Sequence, residues 1–203
     1  RDMLSETERE LFEEGLHDIG TEAERMSRLV QDMLSLARAD AGYQMERSPM
    51  LIQPIVEEVV RKAQLLPRQA EFRTADLRNL EGVLVNGNRD YLQQLLFILL
   101  ENAFKYTEEG HVSLDTVTEK EMVGIRVSDT GVGMEQEEVP QIFERFYRAD
   151  LSRGVKPGTG LGLSIAKWII DEHEGSIEVI TKKGSGTTFL LWLPQWKQKQ
   201  LES

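Results

Sequence analysis

The sequence contains no cysteine among its 203 residues, and it also lacks a long apolar run. Without thiols there is no disulfide framework, no thiolate nucleophile and no cysteine-ligated zinc, a composition that fits the reducing cytoplasm. The longest uninterrupted apolar run, residues 95–100, is far below the roughly 20 residues that span a bilayer. The sequence therefore predicts a cytoplasmic chain without a membrane span or secretory signal of its own.

A surplus of positive charge is missing as well. Acidic residues outnumber basic ones by 35 to 24, which leaves a formal net charge of −11. A nucleic-acid-binding protein normally carries a basic surface, and no Lys/Arg block supplies one here, so nucleic acid is not an expected partner. Because the chain starts at Arg1 rather than at methionine, we expect a piece of a longer protein, in which upstream segments would provide any membrane anchor.

The first 42 residues contain no proline, and their apolar residues recur at alternating spacings of four and three. This heptad pattern predicts a long helix that ends near Gly42. Leu29, Leu34 and Leu36 widen the apolar stripe to the width found in helical bundles, which favours coverage by a partner helix over packing onto the chain's own globular domain. The repeat consists of Phe12, Leu16, Ile19, Ala23, Met26, Val30, Met33 and Ala37.

The rest of the chain alternates between single helices and pairs of strands. After a break at Ser48-Pro49, the patterns predict helices over 53–66, 89–106, 137–143 and 161–173, and strands over 71–74, 83–85, 111–118, 122–128, 176–181 and 187–193. Asn88 is a candidate cap for the second of these helices. Paired strands predict an α+β fold, an α/β sandwich with a mixed, largely antiparallel sheet and helices on one face, preceded by the long N-terminal helix.

A polar trio marks the end of the predicted helix 89–106. Asn102, Lys105 and Tyr106 lie at positions i, i+3 and i+4, so an amide oxygen, a cation and an aromatic ring share one helix face. Taken alone, such a face is more typical of a solvated surface than of a binding site.

A second motif follows a strand. Asp129 is succeeded by Gly131 and Gly133, which allow a ligand to approach the backbone. A carboxylate accepts hydrogen bonds and donates none, so in an apolar pocket it suits the exocyclic amine of adenine and opposes the carbonyl that guanine carries there. Taken alone, Asp-Thr-Gly is more often a turn.

Two glycine-rich segments complete the set. Residues 158–162 open a helix, where exposed amides form a site suited to phosphate, although the spacing matches neither a Walker loop nor the dinucleotide-binding fingerprint. Residues 184–189, which include Thr188, would by themselves be read as a hairpin turn.

Together and in this order, these four motifs resemble the N, G1, G2 and G3 boxes of the bacterial sensor histidine kinases, and residues 143–150 resemble the F box between G1 and G2. Residues 24–38 are similar to the second helix of that family's dimerisation and phosphotransfer hairpin. The resemblance implies a partial hairpin helix over 1–48, a catalytic ATP-binding domain of the gyrase, Hsp90 and MutL type over 49–196, and a polar tail over 197–203.

The resemblance also implies roles at the base and the metal. Asp129 would read the adenine amine, with Gly131, Gly133 and Thr188 near the base. Asn102 would ligate Mg²⁺.

Further roles concern the phosphates. Lys105 would approach them, and Tyr106 would lie against the nucleotide. Either Arg145 or Arg148 would assist the γ-phosphate, and the sequence does not choose between them. Residues 143–160 would form a mobile ATP lid. Phosphate would be received by the helix-start segment, which comprises Gly158, Thr159, Gly160, Leu161 and Gly162.

Two departures from the family pattern refine these expectations. Ile98 stands where the family often has a second asparagine and where the related ATPases carry a water-activating glutamate, which favours transfer to a side chain over hydrolysis. Glu101 points about 100° away around the helix and is a poor substitute.

The acceptor histidine is the second departure. His17 lacks the expected neighbours and lies too close to the second-helix motif, so we expect the acceptor to lie outside this chain. His111 and His173 are expected to be structural or solvated.

We therefore expect the ATP-binding catalytic portion of a sensor histidine kinase, which transfers the γ-phosphoryl of ATP to a histidine outside this chain and on to a response regulator. The piece itself is expected to bind ATP and Mg²⁺ without autophosphorylation, and the parent protein to form a homodimer through the N-terminal helix. The alternatives are a nucleotide-binding regulatory module without catalysis and a gyrase- or Hsp90-like ATPase.

Overall fold

A computed structural model of the chain describes residues 6–148 and 158–197, which divide into two compact units between Tyr43 and Gln44. The first unit is a single helix, α1 (Glu6–Asp40). Gly42 follows it with φ +64°, and the Tyr43 amide donates to the Arg38 carbonyl at 3.0 Å, a bond that satisfies a carbonyl at the helix end. The predicted helix is confirmed, and side chains of its apolar stripe such as Phe12, Ile19 and Met33 are exposed.

The second unit contains a five-stranded sheet and a separate two-stranded one. Its elements are β1 (Ser48–Leu51), α2 (Gln53–Ala63), β2 (Glu71–Thr74), β3 (Leu84–Gly87), α3 (Arg89–Tyr106), β4 (His111–Glu119), β5 (Met122–Asp129), α4 (Gly162–Glu172), β6 (Ser176–Lys182) and β7 (Gly186–Pro194). The large sheet has the order β2-β4-β5-β7-β6, with β2 and β4 parallel and the other pairs antiparallel. The predicted mixed, largely antiparallel sheet is confirmed.

Helices α3 and α4 pack against each other and against this sheet, and α2 packs on α3. The inward side chains of the strands, such as Leu114, Ile125 and Leu191, are fully buried beneath the apolar faces of the helices. The opposite face of the sheet carries cross-strand polar pairs, including Arg126 with Asp115 at 3.4 Å. Because the helices cover one face of the sheet, polar side chains of a site can reach that face only at the ends of the strands.

The start of α3 and the end of α4 are held together at the side of the domain away from Asp129. Asn88 caps α3, since its side chain accepts from the amides of Asp90 at 3.1 Å and Tyr91 at 3.3 Å. His173 follows α4 and is 2% exposed; its Nε2 accepts from the Asn88 amide at 3.0 Å, and its Nδ1 lies 2.7 Å from the Ile169 carbonyl oxygen. Burial lowers the pKa of His173, and the Arg47 charge lowers it further. His173 is therefore a structural histidine.

Apart from shifts of one or two residues at the ends of several strands and of α4, three details differ from the sequence-based prediction. The expected break at Ser48-Pro49 is strand β1, antiparallel to β3; a two-stranded sheet has free edges, where the missing proline donor is tolerated. Helix α2 ends at Ala63, before the predicted residue 66, and the Arg68 guanidinium donates to the carbonyls of Ala63 and Gln64 at this end. The predicted helix 137–143 is two 3-10 turns, Gln136–Glu138 and Gln141–Phe143, because Pro140 interrupts a continuous helix.

Candidate functional site

The four sequence motifs meet at one end of the large sheet. The amide of Val132, in the loop after β5, donates to the carbonyl of Tyr106 at the end of α3 at 3.2 Å. Gly186, at the start of β7, packs so closely on Asp129 that a β-carbon there would overlap the Asp129 carbonyl oxygen. A β-carbon at Gly158 would likewise overlap Lys105 Nζ. These contacts join segments that are far apart in the sequence.

The polar trio lies in the last two turns of α3. Asn102, Lys105 and Tyr106 are all half-buried, while Leu95 and Leu99 on the apolar side of the helix are fully buried. Lys105 Nζ lies 5.0 Å from the centroid of the Tyr106 ring, a cation–π arrangement. Asn102 and Tyr106 lie seven residues after Leu95 and Leu99, so they continue the same side of the helix, which is buried along the core and becomes accessible near the helix end.

Asp129 ends β5 with a half-buried carboxylate. Its Oδ1 accepts from the backbone amides of Gly131 at 2.8 Å and Thr187 at 3.3 Å. Burial raises the pKa of Asp129, and this effect outweighs the two amides and the nearby Thr107 hydroxyl, which lower it. The arrangement holds a hydrogen-bond acceptor in a fixed orientation within a partly desolvated site.

The loop after Asp129 is fixed by the turn between β6 and β7. The Gly184 amide donates to the Val132 carbonyl at 2.7 Å, and the Met134 amide donates to Thr181 Oγ1 at 3.1 Å. Between them, Gly133 has φ +59° and lies against the Lys182 carbonyl, where no β-carbon fits. The glycine pattern therefore serves close backbone packing as well as any approach of a ligand.

Thr187, whose amide donates to Asp129, was not among the site residues predicted from the sequence. Thr187, 6% exposed, shares the sheet face of Asp129, and its Oγ1 lies 3.0 Å from Thr181 Oγ1. Thr188, by contrast, faces the other side of the sheet and donates to Ser128 Oγ at 2.9 Å. Strand alternation was the available signal, because Thr187 has the parity of the buried Phe189 and Thr188 does not.

The glycine-rich segment 158–162 leads into α4. Leu161 is buried and occupies the N-cap position without a side-chain cap, and its amide donates to Thr159 Oγ1 at 3.3 Å. Gly162 begins the helix beside Ile98, whose Cγ2 would lie 3.3 Å from a β-carbon at that glycine. The region that would receive phosphate thus borders an apolar side chain of α3.

Part of the predicted lid can be placed. The Phe146 amide donates to the Gly160 carbonyl at 2.9 Å, so residues 144–148 lie next to segment 158–162. Arg145 is exposed and Arg148 is half-buried. Residues 149–157, which make up half of the predicted lid, lie outside the described residues, as do residues 198–203 of the predicted tail and the side chain of His17.

Within residues 6–148 and 158–197, no group of three or more His, Asp or Glu side chains is arranged to hold a metal ion. The amide oxygen of Asn102 remains as a ligand of the kind Mg²⁺ accepts. One protein ligand fits Mg²⁺ only where phosphate oxygens and water fill the other positions. In the same described ranges, no helix is long and apolar enough to cross a membrane.

Comparison with known proteins gives a consistent family. Residues 87–197 match the family model described as histidine kinase-, DNA gyrase B- and HSP90-like ATPase. The chain is 36% identical over 179 residues to "Sensor histidine kinase YkoH" of Bacillus subtilis (strain 168), covering 88% of this chain and 38% of that protein. It is 38% identical over 187 residues to "Sensor histidine kinase WalK" of the same strain, covering 88% of this chain and 30% of that protein.

A solved structure resembles the chain over nearly all its length. "Crystal structure of ShkA full-length in complex with AMPPNP" gives a TM-score of 0.73 at 23% identity and covers 97% of this chain and 41% of that one. At this identity the likeness establishes the fold. The chain spans about a third of the length of the curated relatives it matches.

Proposed function

Because the chain belongs to the family of histidine kinase-, DNA gyrase B- and HSP90-like ATPases, we propose that it is the ATP-binding catalytic portion of a sensor histidine kinase. The observation that carries the proposal is the convergence of the four motifs around Asp129. Asp129 contacts Gly186 and its loop contacts the end of α3, where Lys105 meets Gly158, so a carboxylate, an amide, a cation and a helix start lie at one end of the sheet and offer partners for a base, a metal and phosphates.

At the base end, which comprises Asp129, residues 130–134 and the β6–β7 turn, Asp129 accepts the exocyclic amine of adenine. Gly131 and Gly133 shape the loop beside it, because their missing side chains let this loop pack against the carbonyls of Tyr106 and Lys182. We propose Thr187 in place of Thr188 as the threonine beside the base, since its amide donates to Asp129 and its hydroxyl shares the same face of the sheet.

At the phosphate end, which comprises Lys105, residues 144–148 and segment 158–162, charge and helix-start amides take the nucleotide's anionic part. Lys105 lies against Gly158 and neutralises phosphate charge, and Tyr106 packs against the nucleotide. Asn102 would hold Mg²⁺ through its amide oxygen, and the metal would neutralise charge on the phosphates. Arg145 and Arg148 are both candidates for contact with the γ-phosphate.

The reaction is transfer of the γ-phosphoryl to a histidine outside this chain, followed by transfer to a response regulator. Ile98 occupies the position where a water-activating base would stand, and it packs near Gly162, which disfavours hydrolysis. The exposed apolar stripe of α1 is the surface through which the parent protein would form a homodimer. Sensor histidine kinases among its relatives support this assignment.

Calorimetric titration of MgATP tests the proposal, with phosphate release followed in the same samples. Asp129→Asn is expected to weaken binding at least about 100-fold, since the amide group of asparagine would oppose the adenine amine with a donor or lose its bonds to the backbone. Asp115→Asn is the matched control, because Asp115 lies on the other face of the sheet. Equal affinities in all three proteins, or steady phosphate release, would contradict the proposal.

A further inference from the structure

A buried hydroxyl beside the base-reading carboxylate has no assigned task. Thr107 is 1% exposed, and its Oγ1 has no hydrogen-bond partner among the described residues. A buried hydroxyl without a partner costs free energy, so a protein rarely keeps one without a use for it.

The position of this hydroxyl is set by backbone contacts on both sides. Thr107 caps the C-terminal end of α3 in an extended conformation, and the preceding residue, Tyr106, accepts from the Val132 amide. A β-carbon at Gly131 would lie 2.8 Å from Thr107 Oγ1. The Gly131 amide is also the donor to Asp129 Oδ1, so the hydroxyl and the carboxylate flank the same residue.

The carboxylate has room for another donor. Both backbone amides bind Oδ1, which leaves Oδ2 to accept further hydrogen bonds. Burial favours the protonated form of Asp129, and a hydroxyl that donates to the carboxylate counteracts this by lowering the pKa of that carboxyl. A protonated carboxyl would present a donor to the adenine amine and lose the interaction.

We propose that Thr107 is a positioning residue for Asp129: after a small rotation of its side chain, its buried hydroxyl donates to Asp129 Oδ2 and holds the carboxylate as an ionised acceptor for the exocyclic amine of a purine. This inference rests on the proposed ATP site and adds a residue that determines base specificity. Thr107 acts through Asp129, so its contribution depends on the amine of the nucleotide.

The test compares Thr107→Val, which removes the hydroxyl and keeps the shape, with Thr107→Ser, which keeps the hydroxyl. Each is titrated calorimetrically with ATP and with purine riboside 5′-triphosphate, which lacks the 6-amino group. Thr107→Val is expected to weaken ATP binding about tenfold and binding of the analogue by less than about twofold. Thr107→Ser is expected to bind both nucleotides within about twofold of the unaltered protein.

A pH series gives a second readout. As pH falls, the ratio of the two affinities for ATP, unaltered protein over Thr107→Val, is expected to grow because Asp129 protonates at higher pH in the variant. The phosphates of ATP, and the titratable groups on elements around Asp129, namely Lys105, His111 and Lys182, are common to both proteins and cancel in the ratio.

The outcomes distinguish failure of the Thr107 inference from failure of the proposed ATP-binding function. If the unaltered protein does not bind ATP, the proposed function fails. If it binds ATP but Thr107→Val weakens both nucleotides equally at every pH, Thr107 only packs the site and the inference is wrong. Should Thr107→Val not fold by its melting transition, Thr107→Ala carries the same comparison with the same expected and contrary results.

Discussion

The two ends of the candidate nucleotide site differ in what holds them in place. At the base end, backbone meets backbone: the Gly184 amide donates to the Val132 carbonyl, and Gly133 lies against the carbonyl of Lys182. At the phosphate end, Gly160 lies against the backbone of Phe146, but Gly158 and Gly162 have side chains as their close neighbours, Lys105 Nζ and Ile98.

This difference lets one small domain recognise a base selectively and still adjust to the position of the phosphates. A base is recognised by a few hydrogen-bond donors and acceptors at fixed positions, so its recognition benefits from a rigid backbone. Phosphates are recognised largely by charge, and a lysine on a flexible stem can follow them. We therefore expect substitutions at glycines packed on backbone at the base end to lower folding stability, and substitutions at Gly158 at the phosphate end to change mainly nucleotide binding.

The largest expected effect is that of Gly133→Ala. The positive φ of Gly133 disfavours any side chain, and a β-carbon would overlap the Lys182 carbonyl, so the variant is expected to lose about 3 kcal/mol of unfolding free energy. Urea unfolding without nucleotide measures this loss. Gly184→Ala, at another positive φ but with open space around it, is the control and is expected to lose less. Equal losses of unfolding free energy in the two variants would show that contact with the Lys182 carbonyl does not determine the cost.

The next effect concerns the C-terminal end of α4, where His173 contacts the Asn88 amide. His173→Phe keeps a ring but leaves the buried Asn88 amide without its acceptor, at an expected cost of about 2 kcal/mol in urea unfolding. Because the folded protein binds the His173 proton less readily than the unfolded chain, stability conferred by the neutral ring is full above about pH 6.5 and falls as pH drops below it.

The variant should lack this part of the pH dependence. Arg47 and Glu172 stay in both proteins and influence the titration of His173 in opposite directions. If unfolding of His173→Phe follows the same pH profile between pH 7 and 5 as the unaltered protein, His173 does not clamp α4 in the way its two contacts indicate.

The sequence predicted much of this architecture because its strongest signals are local. Helix α3 was predicted at its observed bounds, since Asn88 caps its start and buried leucines repeat along it. Strand β1 was missed because it has four residues and a proline, and its partner β3 lies more than 30 residues away. The family resemblance is confirmed by the family match, whereas the individual roles of the site residues remain predictions.

Thr107 and Thr187 differ in how far local sequence patterns could have predicted their positions beside Asp129. The neighbour of Thr107 is Gly131, which lies more than 20 residues away, and only the fold reveals that this hydroxyl flanks Asp129. Thr187 was within reach of a parity argument, because it alternates with the buried Phe189. Distances between motifs follow from tertiary packing and are not encoded in the motifs themselves.

A smaller effect is expected from Asp129→Asn on the protein without nucleotide, in contrast to its large effect on binding. Burial raises the pKa of Asp129, so the folded state binds its proton more readily than the unfolded chain and stability declines as pH rises from about 4 through the folded pKa. The asparagine removes this decline, so Asp129→Asn should be at least as stable as the unaltered protein at pH 7. Urea unfolding at pH 4 and pH 7 measures it, and a destabilised variant at pH 7 would contradict the sign.

The smallest change in stability is expected for Gly158→Ala, at the phosphate end. A β-carbon there meets only Lys105 Nζ, which can move aside, so unfolding free energy should change by less than about 0.5 kcal/mol. ATP affinity should nevertheless fall about threefold, because the ammonium group leaves its place near the phosphates. In a Lys105→Met background the same alanine should have no effect on affinity, since the group it displaces is gone. A stability loss as large as that of Gly133→Ala would mean that Gly158, like Gly133, is held by close packing that cannot adjust.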